Sequence, residues 1–447
     1  MKLKALIGVV IVCLAGVALG ANLSGHFGEG SGDGKGLFEP EPVVEVSQIS
    51  MVCVGDIMAH KPQYNSVLQA DGTYDFSDNY TYIKEYIEAA DLAFCNVETV
   101  FGGQAPRGYP TFCAPDELAT NLKDAGFDVA ITSNNHMLDC GSDGVLRNLE
   151  VLQAAGLKTV GSQLTEEEAN FTIVSAQGLK IGVVAYTYQT SPTTINAINI
   201  PSAIATRVNS FDPDNWETDI AKVEADVLGA REAGADMVVC YFHWGEEYSP
   251  VRDYQRDMAA RLAGDSGVDV IFASHPHICQ EAEVLWSDKY QKNVPVYYSM
   301  GNFISNQRQE TLGGRKNVED GMVAGVTFDI TRTDGELTSI TLSKADVLPT
   351  WVNRYQRGGA WAYHVVPLVN GYEECPSITA SGMLSRATAS LERTTELINS
   401  QYPKDAVGRL VIFDASLWSE AALEPESEAP AEGDDPLETV NGEEVED

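Results

Sequence analysis

Basic residues are scarce in this 447-residue chain: 29 Lys and Arg stand against 65 Asp and Glu, for a net charge of −36. Nucleic-acid binding needs clustered cations on phosphates, so a nucleic-acid partner is not expected. Part of the excess is local. From Glu420 to Asp447 there are 12 acidic residues and no Lys or Arg, which leaves −24 for the rest. Residues 416–447, rich in Pro, Glu and Asp, read as an acidic, disordered tail. Any C-x-x-C pair is also missing. Apart from Cys13, the cysteines number seven and show no paired spacing, so a disulfide framework is not indicated. Cys53, Cys95 and Cys240 lie in apolar runs and are expected as buried thiols. Histidine is rare too, with seven in the chain, so its placement carries information.

At the N-terminus, Lys2 and Lys4 precede an uncharged apolar run from Ala5 to about Ala21. Residues 1–24 are expected to be a signal peptide or an uncleaved signal anchor, either of which places the main domain outside the cytoplasm: anchored at the cell membrane, or secreted. Residues 25–47, rich in Gly, Pro and Glu, read as a flexible tether.

From there a unit recurs, a short β-branched apolar run closing on polar residues: "SMVCVGD", "ADLAFCNVE", "AGFDVAITSNNH", "AGADMVVCYFHWG", "SGVDVIFASHPH", "VPVYYSMGNF". Short buried strands alternating with helices predict an α/β domain with largely parallel sheets over 48–311. "FTIVSAQGLKIGVVAYTYQT" predicts a hairpin about Gln177-Gly178, and Thr333-Asp334-Gly335 predicts another. A smaller C-terminal α+β region, 312–415, includes an amphipathic helix through Leu384, Leu391 and Ile398.

Ligands of open α/β sheets bind beyond the carboxyl ends of strands. Asp56, Glu98, Asn135, His136, His243, His275 and His277 all fall at such ends. In "SHPH", Pro276 favours extended backbone, which would aim His275 and His277 to one side. Imidazoles with carboxylates suit Mn, Zn or Fe, as one ion or two, and not an all-oxygen Ca or Mg site. Such ions would polarise a substrate and acidify a water. The candidate metal ligands are therefore Asp56, Glu98, Asn135, His243, His275 and His277. His136 is the candidate general acid, with Asp139 three residues on to orient it. His60, Asn302 and Glu246 are further metal or substrate candidates. Arg107, Arg252 and Arg308, with Arg256, Arg315 and Lys316, are the cations in or after these loops that an anionic substrate would meet.

The ordered segments "VGDIMAH", "CNVET", "SNNHMLDCG", "FHWGEEY", "SHPHICQ" and "YSMGNF" resemble the CapA family of poly-γ-glutamate capsule proteins, itself similar to the calcineurin-like metallophosphoesterases. The resemblance spans about residues 49–305. It implies a four-layer α/β/β/α sandwich with a metal site on one edge and Glu98 as a bridging carboxylate. In two places the chain departs from the metallophosphoesterase pattern. Met58 occupies the place of the histidine in the opening D-x-H, with His60 two residues later, and Ser274 replaces the glycine before His275.

Two functions follow as expectations. One is a metal-dependent hydrolase of a phosphoester or a γ-glutamyl amide, acting in poly-γ-glutamate synthesis, export or processing. The alternative is a non-catalytic component of a membrane complex that assembles or exports that anionic polymer.

Overall fold

The computed structural model describes residues 42–400 and 410–412. The apolar segment 1–24, most of the 25–47 tether and the acidic tail lie outside the described residues.

The chain opens with β1 (Val44–Ile57), α1 (Lys61–Ser66), α2 (Lys84–Glu88), β2 (Leu92–Val97), α3 (Glu117–Asp124), β3 (Val129–Ile131), α4 (Gly141–Ala154) and β4 (Lys158–Val160). A hairpin follows, β5 (Phe171–Ala176) and β6 (Leu179–Tyr188), then the short β7 (Thr194–Ile195), β8 (Ile198–Asn199) and β9 (Ser210–Phe211). Next come α5 (Trp216–Glu232), β10 (Met237–His243), α6 (Asp253–Arg261), β11 (Val270–Ser274), β12 (Ala282–Ser287), β13 (Lys292–Tyr297) and β14 (Asn302–Ile304). The last elements are β15 (Asp320–Thr333), β16 (Glu336–Arg357), β17 (Ala360–Pro367), α7 (Pro376–Ser381), α8 (Leu384–Ser400) and β18 (Leu410–Ile412).

Two sheets stack face to face. The first runs β17-β16-β15-β1-β2-β3-β4 and the second β12-β13-β11-β10-β6-β5. Strand alternation explains the layering, since successive side chains point to opposite faces. On β1, Ile49, Met51 and Cys53 meet Ile181, Val183, Val239 and Phe272 of the second sheet in a buried core. Val52 and Val54, one residue out of step, face Leu118, Leu122 and Leu152 of α3 and α4. Beyond the second sheet, Ile220, Val223 and Val227 of α5 cover Val184, Val238 and Cys240. Their spacing of three and four residues sets one helix face on the sheet. The result is helices, sheet, sheet, helices: the expected four-layer sandwich.

Both predicted hairpins form, β5–β6 around Gln177-Gly178 and β15–β16 around Asp334-Gly335. Two boundaries fall elsewhere than the sequence suggested. β1 begins at Val44, inside the expected tether, because Val44–Val54 pair antiparallel with Val323–Thr333. Residues 320–367, read as part of a C-terminal extension, are strands of the first sheet itself.

At its end β1 slips register. Pairing with β2 shifts between Val54 and Asp56, and on the opposite edge, where β15 stops at Val54, the short β14 pairs with Asp56 and Ile57. Gly55 lies at this slip. A Cβ there would come within 1.9 Å of the Gly301 carbonyl oxygen, so only glycine lets β1 approach closely enough for Asp56 N–H to donate to Gly301 at 2.9 Å.

Candidate metal centre

The parallel strands β1, β2 and β3 of one sheet and β10 and β11 of the other bring their carboxyl ends to one edge, and the polar residues there are buried. Asp56 accepts from Asn96 Nδ2 through Oδ1 (2.8 Å), while Oδ2 lies 2.9 Å from His277 Nδ1. His243 Nε2 is 3.0 Å from Asn135 Oδ1. Glu98 Oε1 is 3.7 Å from both His243 Nε2 and His277 Nε2. Asp56, Glu98 and His243 form one triad of close ligand atoms; Glu98, His275 and His277 form a second. Glu98 belongs to both.

Electrostatics around this cluster are unbalanced. Burial pushes the Glu98 carboxyl well up, and the neighbouring Asp56 charge adds to the effect. For Asp56 the penalty of burial is outweighed by the His277 hydrogen bond and by attraction to the His277 and His243 rings, so its carboxyl is held low. Desolvation pulls His243 down to about 3 and His60 to about 4, and drives His275 down as well. Glu98 is fully buried and neither of its oxygens has a hydrogen-bond partner; His275 Nδ1 has none either. Buried polar atoms are seldom left so, and two carboxyl groups among three imidazoles form an oxygen and nitrogen donor set that a divalent cation fits. Asp56 accepting from His277 Nδ1 leaves the Nε2 lone pair for such an ion.

Beside the triads, His136 Nδ1 lies 2.8 Å from Asp139 Oδ2, with both side chains buried. The same oxygen accepts the Phe112 N–H at 2.5 Å. Phe112 in turn packs edge-on against His136 and His60, with centroids 4.6 and 5.1 Å apart. Tyr188 covers His275 at 4.6 Å.

The structure thus gathers Asp56, Glu98, Asn135, His136, Asp139, His243, His275 and His277 on one rim. It corrects how His275 and His277 arrive there. Their φ angles are +110° and +57°, so the segment is a tight left-handed bend and not an extended run. The chain must reverse after β11 to pair Cys279 with Met300, and this forces the turn, yet both rings reach the cluster with centroids 5.9 Å apart. Backbone strain of this kind collects at functional sites.

Other candidates sit elsewhere. His60 is beside the cluster, its Nδ1 3.1 Å from Gln63 Oε1 and 3.3 Å from the Asn306 amide, outside both triads. Asn302 is buried against the His277 loop; its Nδ2 donates to the carbonyls of His277 and Val318 and to Gln307. It positions that loop. Glu246 is exposed and paired with Arg252 at 3.2 Å, away from the triads, because the chain turns outward after β10. Arg308 is not available to a substrate: it is 1 % exposed, 3.1 Å from Glu319, and donates to the Val352 carbonyl. Arg107 donates to the Asp139 carbonyl and to Cys140 Sγ, so it braces the loop behind His136. Arg256 pairs with Glu281. Arg315, over the Tyr248 ring, is the cation of this set that overhangs the rim, since Tyr248 packs near His277.

Sequence reasoning missed three residues. Asn96 was within reach of it, because it stands two before Glu98 and the period of a strand puts both on one side. Phe112 and Tyr188 carried no local signal.

A two-sheet α/β sandwich with a histidine and carboxylate centre at its strand ends is the class that fold and site define. The profile of the family described as "Bacterial capsule synthesis protein PGA_cap" matches residues 50–307, and the chain belongs to that family. The capsule biosynthesis protein CapA of Bacillus anthracis is 27% identical over 274 residues, covering 59% of this chain and 61% of that protein. The PGA biosynthesis protein CapA of Bacillus subtilis is 27% identical over 268 residues, covering 58% and 64%. The matched region therefore spans less than two thirds of either relative. Among solved structures, a calcineurin-like phosphoesterase of Bacillus subtilis aligns with 78% of this chain and 99% of its own, at 14% identity and a TM-score of 0.36.

Proposed function

We propose that the protein is a metal-dependent hydrolase of a phosphoester or γ-glutamyl amide bond that serves poly-γ-glutamate synthesis, export or processing. The observation that carries the reading is Glu98: a buried carboxylate with two unpartnered oxygens, shared by two triads. Asp56, Glu98, His243, His275 and His277 would hold the cation, with Asn135 beside His243. Bound there, one or two Mn, Zn or Fe ions would supply Lewis acidity. The chain's own groups do the rest. His136, its Nδ1 hydrogen held by Asp139, presents its other nitrogen to carry a proton to a leaving alkoxide or amine. Phe112 and Tyr188 keep water from the flanks of the histidines, and Arg315 and Arg107 offer positive charge near an otherwise acidic rim.

The polymer comes from the names of the relatives in Bacillus, and the location from Lys2, Lys4 and the apolar run after them: the domain acts outside the cytoplasm, membrane-anchored or secreted, next to the machinery that makes the polymer. The deciding experiment loads the purified full chain with Mn, Zn or Fe and assays a generic phosphodiester and poly-γ-glutamate. Turnover of either that needs metal and disappears in Glu98→Gln supports the proposal. Tight metal binding with no turnover of either overturns the hydrolase and favours the non-catalytic assembly component.

A further inference from the structure

Cys113 and Cys140 come from different loops, 27 residues apart in the chain, and their sulfurs are neighbours: the Cys140 thiol donates to the Phe112 carbonyl at 3.4 Å and the Cys113 thiol to the Gln104 carbonyl at 3.7 Å. Both are free in the structure, as are the other described cysteines. Cys113 lies in a small antiparallel bridge with Arg107, closed by paired backbone hydrogen bonds of 3.0 and 2.9 Å. The strap between them carries Phe112. Cys140 immediately precedes α4 and follows Asp139.

Three features set this pair apart from the buried thiols of the strands. Space around Cys140 is cleared by glycines: a Cβ on Gly102 would lie 2.3 Å from Cys140 Sγ and 3.3 Å from Cys113 Sγ, and one on Gly144 would lie 2.3 Å from Cys140 Cβ. A cation is at hand, with Arg107 Nη2 3.2 Å from Cys140 Sγ. Access exists, because Cys140 is partly exposed whereas Cys53, Cys95 and Cys240 are fully buried.

We propose that Cys113 and Cys140 are an oxidisable pair that forms an intrachain disulfide, strapping the Phe112 hairpin onto the Asp139 loop. The pair gives up its first proton readily. The adjoining Cys140 thiol, with backbone contacts and Arg107, draws the Cys113 thiol down, while Cys113 and burial push Cys140 up. One proton is then shared between two sulfurs, and the partly exposed Cys140 meets the oxidant, a low-molecular-weight disulfide. As the proton moves to Cys113, Cys140 attacks one sulfur of the oxidant and one small thiolate leaves. Cys113 then attacks Cys140 Sγ, its proton passing to the second small thiol as that departs. Two protein sulfurs are oxidised, one disulfide bond is reduced, and the two small products carry the shared proton between them. The inference does not depend on the hydrolase reading.

The test uses the full chain, reduced, then incubated with oxidised glutathione, alkylated and digested with trypsin. Cleavage after Arg107, Lys123 and Arg147 separates the two cysteines. The expected result is a reductant-sensitive cross-link between peptides 108–123 and 124–147, with a rise in melting temperature that reductant reverses. Cys113→Ser should leave a lasting glutathione adduct on Cys140, and Cys279→Ser should keep the cross-link. A wild-type chain in which Cys113 and Cys140 are alkylated singly, or in which Cys140 keeps its glutathione, overturns the proposal. That readout needs no variant to fold.

Discussion

His277 Nδ1 and Asp56 Oδ2, 2.9 Å apart, join the carboxyl end of β11 in one sheet to that of β1 in the other. The bond closes the edge of the sandwich where the candidate metal ligands collect, and as an acceptor Asp56 favours the tautomer with its hydrogen on Nδ1.

Because Glu98 is shared by both triads, Glu98→Gln should separate metal binding from folding. At a metal concentration about 100 times its Kd the wild-type chain gains about 2.7 kcal/mol of stability. The variant should bind more than about tenfold more weakly and lose about half of that gain or more. Without metal its melting temperature should stay close to that of the wild type, since burial already disfavours the ionised carboxyl and the amide has the same shape. Thermal melts with and without metal read both. Equal metal-induced shifts in the two proteins would remove Glu98 from the centre.

His136→Ala should lower kcat by about 100-fold or more on an alkyl phosphodiester, the range of a lost general acid, and by much less on a nitrophenyl ester whose leaving group needs no proton. Asp139→Asn should shift the same comparison in the same direction by a smaller factor, because the carboxylate acts through His136. Equal losses on both esters would make His136 a structural residue.

Far from the centre, Asp78 holds the chain before α2 to the C-terminal strands: it pairs with Arg357 of β16 and lies 3.3 Å from His364 Nε2 of β17. The His364 contact, opposed by burial and helped by Arg357, brings its carboxyl from an ordinary 3.8 down to about 2. A carboxyl with a depressed pKa stabilises the fold above its unfolded value and loses that contribution as pH falls through the folded one. Asp78→Asn should therefore melt below the wild type at neutral pH, with the two curves converging between about pH 4 and 2. A gap that persists at pH 2 would mean that packing, not charge, is what the substitution disturbs.

The rim of the site was legible in the sequence because each buried strand announces itself by an apolar run, and a polar residue at its end has nowhere to go but the ligand edge. That logic found Asp56, Glu98, His243 and the two histidines around Pro276. It failed where partners come from far along the chain. Arg308 reads as a free cation after a loop until β16 supplies the Val352 carbonyl and a nearby turn supplies Glu319. Glu246 looks like a ligand beside His243 until the backbone turns it outward to Arg252. The extended reading of His275 and His277 followed Pro276, a local preference overridden by the need to pair Cys279 with Met300.

β1 pairs with β2 a short way on and, along its opposite edge, with β15, so that Met51 faces both Leu92 and Val326. As the chain is made, one edge of β1 stays unpaired until residues near 330 arrive. Asp56 sits two residues beyond the last β15 pair, at Val54, and is itself held between Asn96 of β2 and Asn302 of β14. Closure of the β1 edge that leads to the candidate metal centre is therefore a late event in the synthesis of this chain. A fragment ending near residue 311 would carry every proposed ligand and still present β1 as an open template for aggregation.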